Sequence, residues 1–215
     1  MHSLTPELLL RAYAAGIFPM AENSDSAALY WFEPEKRGIL PLTTFHVPKS
    51  VRKAVREQRF LIRFDSHFEG VINACAAPRP ERPESWINTS IRDACLALHD
   101  RGYAHSVEAW QDNQLVGGLY GVALGGAFFG ESMFSHVSEA SKVCLVALVE
   151  RLQSQGFSLL DTQYQNEHLV QFGVIEISRS EYRKRLKAAL ALKCEWSPGR
   201  LTGNDLPHLP DELDL

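Results

Sequence analysis

Cysteine is scarce in this chain, and its placement suits neither a metal site nor a disulfide framework. The 215 residues include four cysteines that lie far apart and form no Cys-x-x-Cys pair, and the eight histidines show no His-Glu-x-x-His spacing. Zinc and a disulfide scaffold are therefore not indicated. Isolated cysteines suit a reducing compartment, so we expect a cytoplasmic protein.

Long apolar runs and an excess of basic residues are also missing. No stretch of about 18 apolar residues occurs, so we expect no membrane span, and the N-terminus lacks the features of a signal peptide. The formal net charge is −4, which argues against a large, generic duplex-binding surface. No Walker or Gly-x-Gly-x-x-Gly motif opens a helix, so the glycines indicate tight turns rather than a phosphate loop.

The composition that remains is that of a globular protein, with 45% hydrophobic and 22% charged residues. Thr5 and Pro6 are typical of a helix start and Gly16 of a helix end. A small polar segment, residues 21–28, separates this first helix from the rest of the chain. We therefore predict a small N-terminal domain, residues 1–33, and a larger domain, residues 34–215.

The segment from residue 105 to residue 163 is the most informative part of the chain. Turn residues at positions 111–113 and 125–126 predict three consecutive strands, the last of which covers residues 127–135. A long helix over residues 138–155 and a buried strand that ends at Asp161 follow. Asp161 and Gln163 lie two residues apart and thus point to the same face, as a reactive pair or as a turn-capping Asp with a surface Gln.

Glu131 is a second acid in an unexpected place, because large apolar residues surround it in the sequence. A strand period of two puts one set of side chains on one face: Phe129, Glu131, Met133 and Ser135. Such a face is either a pocket wall that carries one charge or the site of a structural ion pair with an arginine.

One predicted helix carries a basic face. Lys49, Lys53 and Arg56 follow each other at intervals of four and three residues and so share one side. On pattern alone this is more often a solvated face than a contact surface. Trp86 follows a proline-rich loop, where it either stacks on a ring of a ligand or anchors the loop.

Several separated motifs, in this order, resemble the leucyl/phenylalanyl-tRNA–protein transferase family. They are residues 16–19 (Gly-Ile-Phe-Pro), 85–87 (Ser-Trp-Ile), 105–108 (His-Ser-Val-Glu), 115–122 (Leu-Val-Gly-Gly-Leu-Tyr-Gly-Val), 130–135 (Gly-Glu-Ser-Met-Phe-Ser), 140–142 (Ala-Ser-Lys) and 160–163 (Leu-Asp-Thr-Gln). The resemblance covers nearly the whole chain, from about residue 8 to residue 196.

The resemblance implies an α+β fold with a small N-terminal domain. The larger domain would be similar to the GNAT acyltransferase fold, a mixed, mostly antiparallel sheet flanked by helices. It implies an aminoacyltransferase that moves Leu, Phe or Met from an aminoacyl-tRNA to proteins that begin with Arg or Lys, which creates a degradation signal. It further implies no cofactor, no metal and no membrane partner, and we expect a monomer.

Functional residues are carried over by position. Asp161, Gln163 and Glu131 match the catalytic residues. The pocket for the transferred amino acid would be lined by Leu119, Phe128, Met133, Ser135, Leu145, Leu148, Leu152 and Leu160. Contacts to the terminal adenosine and the tRNA would come from Tyr13, Met20, Trp86, Lys49, Lys53 and Arg56. Met20 stands where better-known members have Trp, and Leu148 and Leu152 replace pocket phenylalanines.

The chemistry implied is aminolysis of an ester, which needs no strong base. We predict that Gln163 accepts a hydrogen bond from the attacking amine, while Asp161 either fixes Gln163 or carries the developing ammonium charge. With Asp161, Glu131 would supply negative charge for the Arg or Lys of the acceptor.

A CoA-dependent N-acyltransferase on the same fold is the alternative, and a non-catalytic tRNA or N-terminus binding module is a second. The first needs a glycine-rich pyrophosphate loop before the long helix. Residues 136–141 read His-Val-Ser-Glu-Ala-Ser, with no glycine and one acid, so CoA is disfavoured. Retention of two acids and an amide at the predicted site argues against the second.

Overall fold

The computed structural model describes residues 4–79 and 83–197 as a mixed structure of helices and strands. Its helices are α1 (Pro6–Ala14), α2 (Lys49–Arg56), α3 (Phe68–Ala76), α4 (Thr89–Asp100), α5 (Ala140–Ser154), α6 (Glu167–Val170) and α7 (Arg179–Leu190). Its strands are β1 (Phe18–Ala21), β2 (Leu29–Phe32), β3 (Lys36–Ile39), β4 (Leu61–Phe64), β5 (Ala104–Gln111), β6 (Gln114–Leu124), β7 (Ala127–Ser135), β8 (Leu159–Gln163) and β9 (Ile175–Ser178). Among these described helices, none is long and apolar enough to cross a membrane.

A seven-stranded sheet forms the centre of the molecule, in the order β4-β5-β6-β7-β8-β3-β9. Neighbouring strands are antiparallel except β7 and β8, which run parallel. Parallel neighbours need a crossover connection, and α5 provides it. The predicted α+β class, with a mixed, mostly antiparallel sheet flanked by helices, is confirmed.

Helices cover both faces of this sheet, and each face has its own apolar core. On one face, α2 and α5 pack through residues such as Val51 and Leu145. On the other, α1, α3, α4 and α7 pack through residues such as Leu9, Val71 and Leu186. The two basic helices of the chain, α2 and α7, therefore lie on opposite faces.

The N-terminal segment begins as its sequence predicts. The side chain of Thr5 accepts a hydrogen bond from the Leu8 amide, and Pro6 is the first residue of α1. After α1, the strands β1 and β2 pair as a separate two-stranded sheet. The ring of Tyr13 packs on Phe129 of the main sheet at 4.8 Å, so the segment shares a core with the large sheet. The predicted division after residue 33 stays a prediction.

A β-bulge interrupts β7 at Glu131. Tyr120 of β6 lies opposite Ser132, whereas the next residue, Gly121, lies opposite Gly130, so Glu131 is an extra residue without an opposite partner. The prediction that Phe129 and Met133 lie on one face is therefore wrong, although Glu131 and Met133 do border the same pocket. Phe129 packs into the core beneath α1, and Met133 packs against the core beneath α5.

Candidate active site

The two parallel strands separate at the predicted site. The pairing of β7 with β8 ends at Phe129 and Asp161. Beyond that point β7 bulges at Glu131, and β8 reaches its end at Gln163. The two side chains face each other across the opening, where Gln163 Nε2 donates to Glu131 Oε1 at 3.5 Å. A split between two strands thus brings together an acid and an amide that lie 32 residues apart in sequence.

A pocket of about 450 Å³ opens at this split. It combines an apolar interior with a polar mouth, as ligand sites commonly do. The predicted lining residues that the structure places there are Leu119, Met133, Ser135, Leu145, Leu148 and Leu160, together with Glu131 and Gln163. Leu145 and Leu148 lie on α5, which forms the floor.

Phe128 and Leu152 were predicted in this lining but do not contribute to it. Both are completely buried in the core between the sheet and α5. The ring of Phe128 stacks on Trp196, 5.5 Å away. Leu152 follows Leu148 by one helical turn, which carries it past the pocket floor into the core.

Other lining residues were missed by the sequence argument. They are Arg79, Tyr120, Gly130, Ser132, Phe134, Ser141, Thr162, Asn166, His168 and Leu169. Asn166 caps α6, since its side chain accepts a hydrogen bond from the Leu169 amide at 2.9 Å. An Asn three residues after Gln163 was a readable helix-start signal, but nothing in the sequence indicated that this helix borders the pocket.

Asp161 lies behind the pocket, fully buried and fully bonded. Arg37 Nε donates to Asp161 Oδ1 at 2.9 Å and Arg37 Nη2 donates to Oδ2 at 2.7 Å. The Tyr182 hydroxyl also donates to Oδ2, at 2.7 Å, and the backbone N–H of Gln163 donates to Oδ1, at 2.9 Å. The carboxylate is 0% exposed and the Arg37 side chain 1%. The structural ion pair considered for Glu131 is thus made by Asp161.

The backbone at Gln163 is unusual. Its φ is +56°, in the left-handed region, and the Tyr164 amide donates to the Thr162 carbonyl at 2.6 Å, which closes a γ-turn around Gln163. A left-handed non-glycine residue costs on the order of 1 kcal/mol. Gly38 on β3 faces this turn, where a Cβ would lie 2.6 Å from the Tyr164 carbonyl carbon. Only a glycine at position 38 leaves room for it.

Glu131 is half-buried and carries a perturbed carboxyl. Burial and the nearby negative charge of Asp161 raise the pKa of Glu131 from 4.5 to about 7, against the opposing effects of the Tyr13 hydrogen bond and the Arg37 charge. Tyr13 is 1% exposed. The structure therefore places Tyr13 in the core beside Glu131, rather than on a surface that an adenosine could reach.

The three basic residues predicted to contact tRNA are accessible. Lys49, Lys53 and Arg56 are exposed on α2. Beside them, Ser50 Oγ donates to Glu139 Oε2 at 3.5 Å, and Glu139 directly precedes α5, whose first residues border the pocket. The basic face therefore lies next to the pocket mouth.

Met20 and Trp86 lie close together on the other side of the sheet. Both are half-buried and pack against the core beneath α1, and the Ala21 amide donates to the Trp86 carbonyl at 3.2 Å. Within residues 4–79 and 83–197, no group of three or more His, Cys, Asp or Glu side chains is placed to hold a metal ion.

Comparison with known proteins shows that the chain is an aminoacyltransferase. A family model described as leucyl/phenylalanyl-tRNA protein transferase matches residues 39–187, and a model of the N-terminal domain of the same proteins matches residues 2–35. A leucyl/phenylalanyl-tRNA–protein transferase of Paramagnetospirillum magneticum (strain ATCC 700264 / AMB-1) is 59% identical over 191 residues, which cover 89% of this chain and 91% of the relative. The chain belongs to the leucyl/phenylalanyl-tRNA–protein transferase family, as its motifs indicated.

Solved structures resemble the chain only weakly. The C-terminal domain (DUF2156) of a proposed lysylphosphatidylglycerol synthetase from Agrobacterium fabrum matches 89% of this chain with 11% identity and a TM-score of 0.40, and 60% of its own length is covered. The L-PGS structure from Bacillus licheniformis matches 84% of this chain with 12% identity and a TM-score of 0.39, and 68% of its length is covered. Likenesses this weak do not define the fold.

Proposed function

We propose that this chain transfers Leu, Phe or Met from an aminoacyl-tRNA to the α-amino group of proteins that begin with Arg or Lys, at the split between β7 and β8. The observation that carries the proposal is the facing pair of Glu131 and Gln163 at the mouth of an apolar pocket. Membership in the family supports the transfer reaction. The reaction takes place in the cytoplasm, on a monomer, and its product is a degradation signal.

The apolar interior receives the side chain of the transferred amino acid. Leu145 and Leu148 on the floor and Leu119, Met133 and Leu160 on the walls offer contacts to an unbranched or γ-branched side chain. A β-branched side chain would crowd the entrance, where the ester must reach Gln163. This arrangement favours Leu, Phe and Met over Ile and Val.

The amide of Gln163 orients the attacking amine. An α-amino group has a pKa near 8, so on the order of a tenth of it is neutral at pH 7. Because Gln163 Nε2 donates to Glu131, Gln163 Oε1 is the atom that accepts a hydrogen bond from the amine. The amine nitrogen bonds to the ester carbonyl carbon and the carbon–oxygen bond to the ribose breaks. The amine proton passes to the leaving ribose oxygen, through the neighbouring hydroxyl or a water molecule.

Recognition of the Arg or Lys at the acceptor N-terminus is assigned to Glu131. The charge of Asp161 is already matched by Arg37 at 2.7 Å, so Asp161 serves to hold Gln163 in place rather than to carry charge for a substrate. Glu131 is the acid of the pair that remains at the pocket mouth. In its ionised form it attracts the cationic side chain of the acceptor.

The tRNA lies against α2 in this proposal. Lys49, Lys53 and Arg56 contact phosphates of the acceptor stem, and Met20 and Trp86 contact the terminal adenosine. A Met at position 20 offers a flexible apolar surface to the adenine where a Trp would offer a stacking ring.

The larger domain is proposed to share the GNAT-like arrangement. Support comes from the parallel β7–β8 pair inside an otherwise antiparallel sheet, from its separation at the site and from the α5 crossover between the two strands. A CoA-dependent acyltransferase is the second candidate, but Glu139 stands directly before α5, where a pyrophosphate would need to bind. A thermal shift with CoA would favour this candidate.

The transfer of labelled Leu from Leu-tRNA to an Arg-starting peptide tests the proposal. We expect transfer to the Arg peptide, little to an otherwise identical Ala-starting peptide, and little from Ile-tRNA. The Gln163→Ala variant should lose most of the activity while keeping its affinity for Leu-tRNA. Absence of transfer by the wild-type protein would overturn the proposed function, and full activity of the variant would overturn the role of Gln163.

A further inference from the structure

We infer that Arg37 is a positioning residue of the transfer reaction: through Asp161 it holds the backbone of Gln163 in the turn that presents its amide to the pocket. This inference rests on the proposed function of Gln163. Arg37 itself does not border the pocket.

The contacts form one chain. The guanidinium of Arg37 donates to both carboxylate oxygens of Asp161. Asp161 Oδ1 in turn accepts a hydrogen bond from the backbone N–H of Gln163 at 2.9 Å. Gln163 is the residue with the left-handed backbone at the centre of the γ-turn. Such a conformation persists only when the surroundings fix it, and Asp161 is the group that does so.

The guanidinium is itself fixed on every side. It lies between the rings of Phe18 and Tyr182, with its carbon 4.5 Å and 4.4 Å from the two ring centres. Its remaining nitrogen, Nη1, donates to the Gly16 carbonyl at 3.0 Å. The planar fork thus uses each of its three nitrogens, and a point charge such as a lysine ammonium cannot replace all of these bonds.

The same contacts tie the N-terminal segment to the reaction. Gly16 follows α1 and Phe18 begins β1, and Tyr13 of α1 lies beside Glu131, where it lowers the pKa of that carboxyl. One end of α1 therefore reaches Gln163 through Arg37, and its face reaches Glu131 directly. The segment positions both side chains at the pocket mouth, in addition to any contact that it makes with tRNA.

A double-mutant cycle in transfer kinetics tests this inference. Arg37→Lys, Gln163→Ala and the double variant are compared with the wild type, using Leu-tRNA and an Arg-starting peptide. We expect Arg37→Lys to lower kcat by about 10- to 100-fold, because a misplacement near 1 Å has effects of this size, with the KM for Leu-tRNA changed less than about twofold. In the Gln163→Ala background, Arg37→Lys should lower kcat by less than about threefold, because the side-chain amide that Arg37 helps to position is already missing.

Arg151→Lys is the matched control, because Arg151 is also a buried arginine that packs over an aromatic ring, that of Phe64 at 3.5 Å, away from the pocket. It should lower the melting temperature but leave kcat near the wild-type value. Should Arg37→Lys fail to fold, Phe18→Leu replaces it in the cycle, because that change removes one of the two rings that hold the Arg37 guanidinium and keeps the charge.

The outcomes distinguish the role of Arg37 from the transfer activity itself. Equal losses of kcat in both backgrounds, or a wild-type kcat in Arg37→Lys, would overturn the inference while transfer itself stands. Full activity of Gln163→Ala would overturn the role of Gln163 first and the inference with it. A loss confined to the background that retains Gln163 would establish Arg37 as a positioning residue.

Discussion

Two carboxylates of the site differ in what surrounds them, and this difference decides their roles. Asp161 accepts hydrogen bonds from Arg37, Tyr182 and Gln163 and has no exposed surface. Glu131 accepts one long hydrogen bond, from Gln163, has Tyr13 beside it and borders the pocket. A fully bonded acid holds other groups in place, whereas a raised pKa at a pocket mouth marks the acid that responds to a ligand or to pH.

The raised pKa of Glu131 makes folding stability depend on pH. The folded protein binds the proton of the Glu131 carboxyl more tightly than the unfolded chain does. The contribution of this protonation to folding stability is therefore fully present below about pH 4.5 and is lost as pH rises through about 7. Glu131→Gln does not titrate. The free energy of unfolding of the wild type, minus that of the variant, should therefore fall between pH 4.5 and 7 and stay constant above pH 8, as measured by urea denaturation.

Glu150→Gln is the control for this prediction. Burial also raises the pKa of Glu150 to about 7, but Glu150 does not border the pocket. Both variants should show the same trend in stability, while only Glu131→Gln should weaken transfer to an Arg-starting peptide. A stability difference for Glu131→Gln that does not change with pH would contradict the perturbed pKa.

The two leucines of α5 that were predicted in the pocket lining, Leu148 and Leu152, should respond differently to substitution by phenylalanine. Leu148→Phe narrows the pocket, so kcat/KM for Phe-tRNA should fall relative to Leu-tRNA by about tenfold, which is the scale of discrimination by apolar contacts. Leu152→Phe overpacks the core and should lower the free energy of unfolding by about 1–3 kcal/mol. It should leave the ratio of kcat/KM for Phe-tRNA to kcat/KM for Leu-tRNA unchanged. A shift in that ratio for Leu152→Phe would place residue 152 in the pocket after all.

At the scale of single residues, the sequence predicts polar side chains in apolar strands better than the distant residues that pair with them. Asp161, Gln163 and Glu131 were found because polar residues stand out in apolar strands. Arg37 was not found, since it lies 124 residues from Asp161 and no local pattern links a β-strand arginine to a distant acid. The sequence alone therefore left open whether Asp161 fixes Gln163 or carries charge.

At the scale of elements, the three consecutive strands and the following helix were predicted from turn signals and periodicity. The bulge in β7 was missed, although Gly130 inside a strand is a typical signal for one. That single extra residue puts Met133 on the face of the sheet that carries Phe128, opposite to the face that carries Phe129. Strand β9 and the pairing of β1 with β2 were also missed, because short strands are defined by their partners more than by their own residues.

The turn at the end of β8 depends on the neighbouring strand, which Gly38→Ala tests. A Cβ at position 38 would lie 2.6 Å from the Tyr164 carbonyl carbon and 2.8 Å from Thr162 Oγ1. The backbone of the turn must then shift, so we expect kcat for transfer to fall about tenfold or more. Gly70→Ala is the control, because a Cβ there meets the exposed side chain of His67, which can rotate away. Equal activity of the two variants would contradict the dependence of the turn on Gly38.

At the scale of the whole molecule, a net charge of −4 conceals two basic helices on opposite faces of the sheet. Helix α2 lies beside the pocket mouth, through Ser50 and Glu139. Helix α7 packs beneath the other face, and three of its arginines pair with glutamates: Arg179 with Glu35, Arg183 with Glu33 and Arg185 with Glu181. Nearness to the pocket, rather than the number of positive charges, thus distinguishes the proposed phosphate-binding helix α2 from α7.

Reversing charge on either helix separates these two cases. Lys49→Glu with Lys53→Glu should raise the KM for Leu-tRNA and flatten its dependence on salt by about one unit of logarithmic slope for each lost phosphate contact. Lys184→Glu with Lys187→Glu changes the net charge by the same amount on exposed positions of α7, and should alter KM and its salt slope far less. Because both variants carry the same net charge, a difference between them reports where the charge lies rather than how much of it there is. Equal effects on KM would show that only the net charge matters and would remove α2 from the tRNA surface.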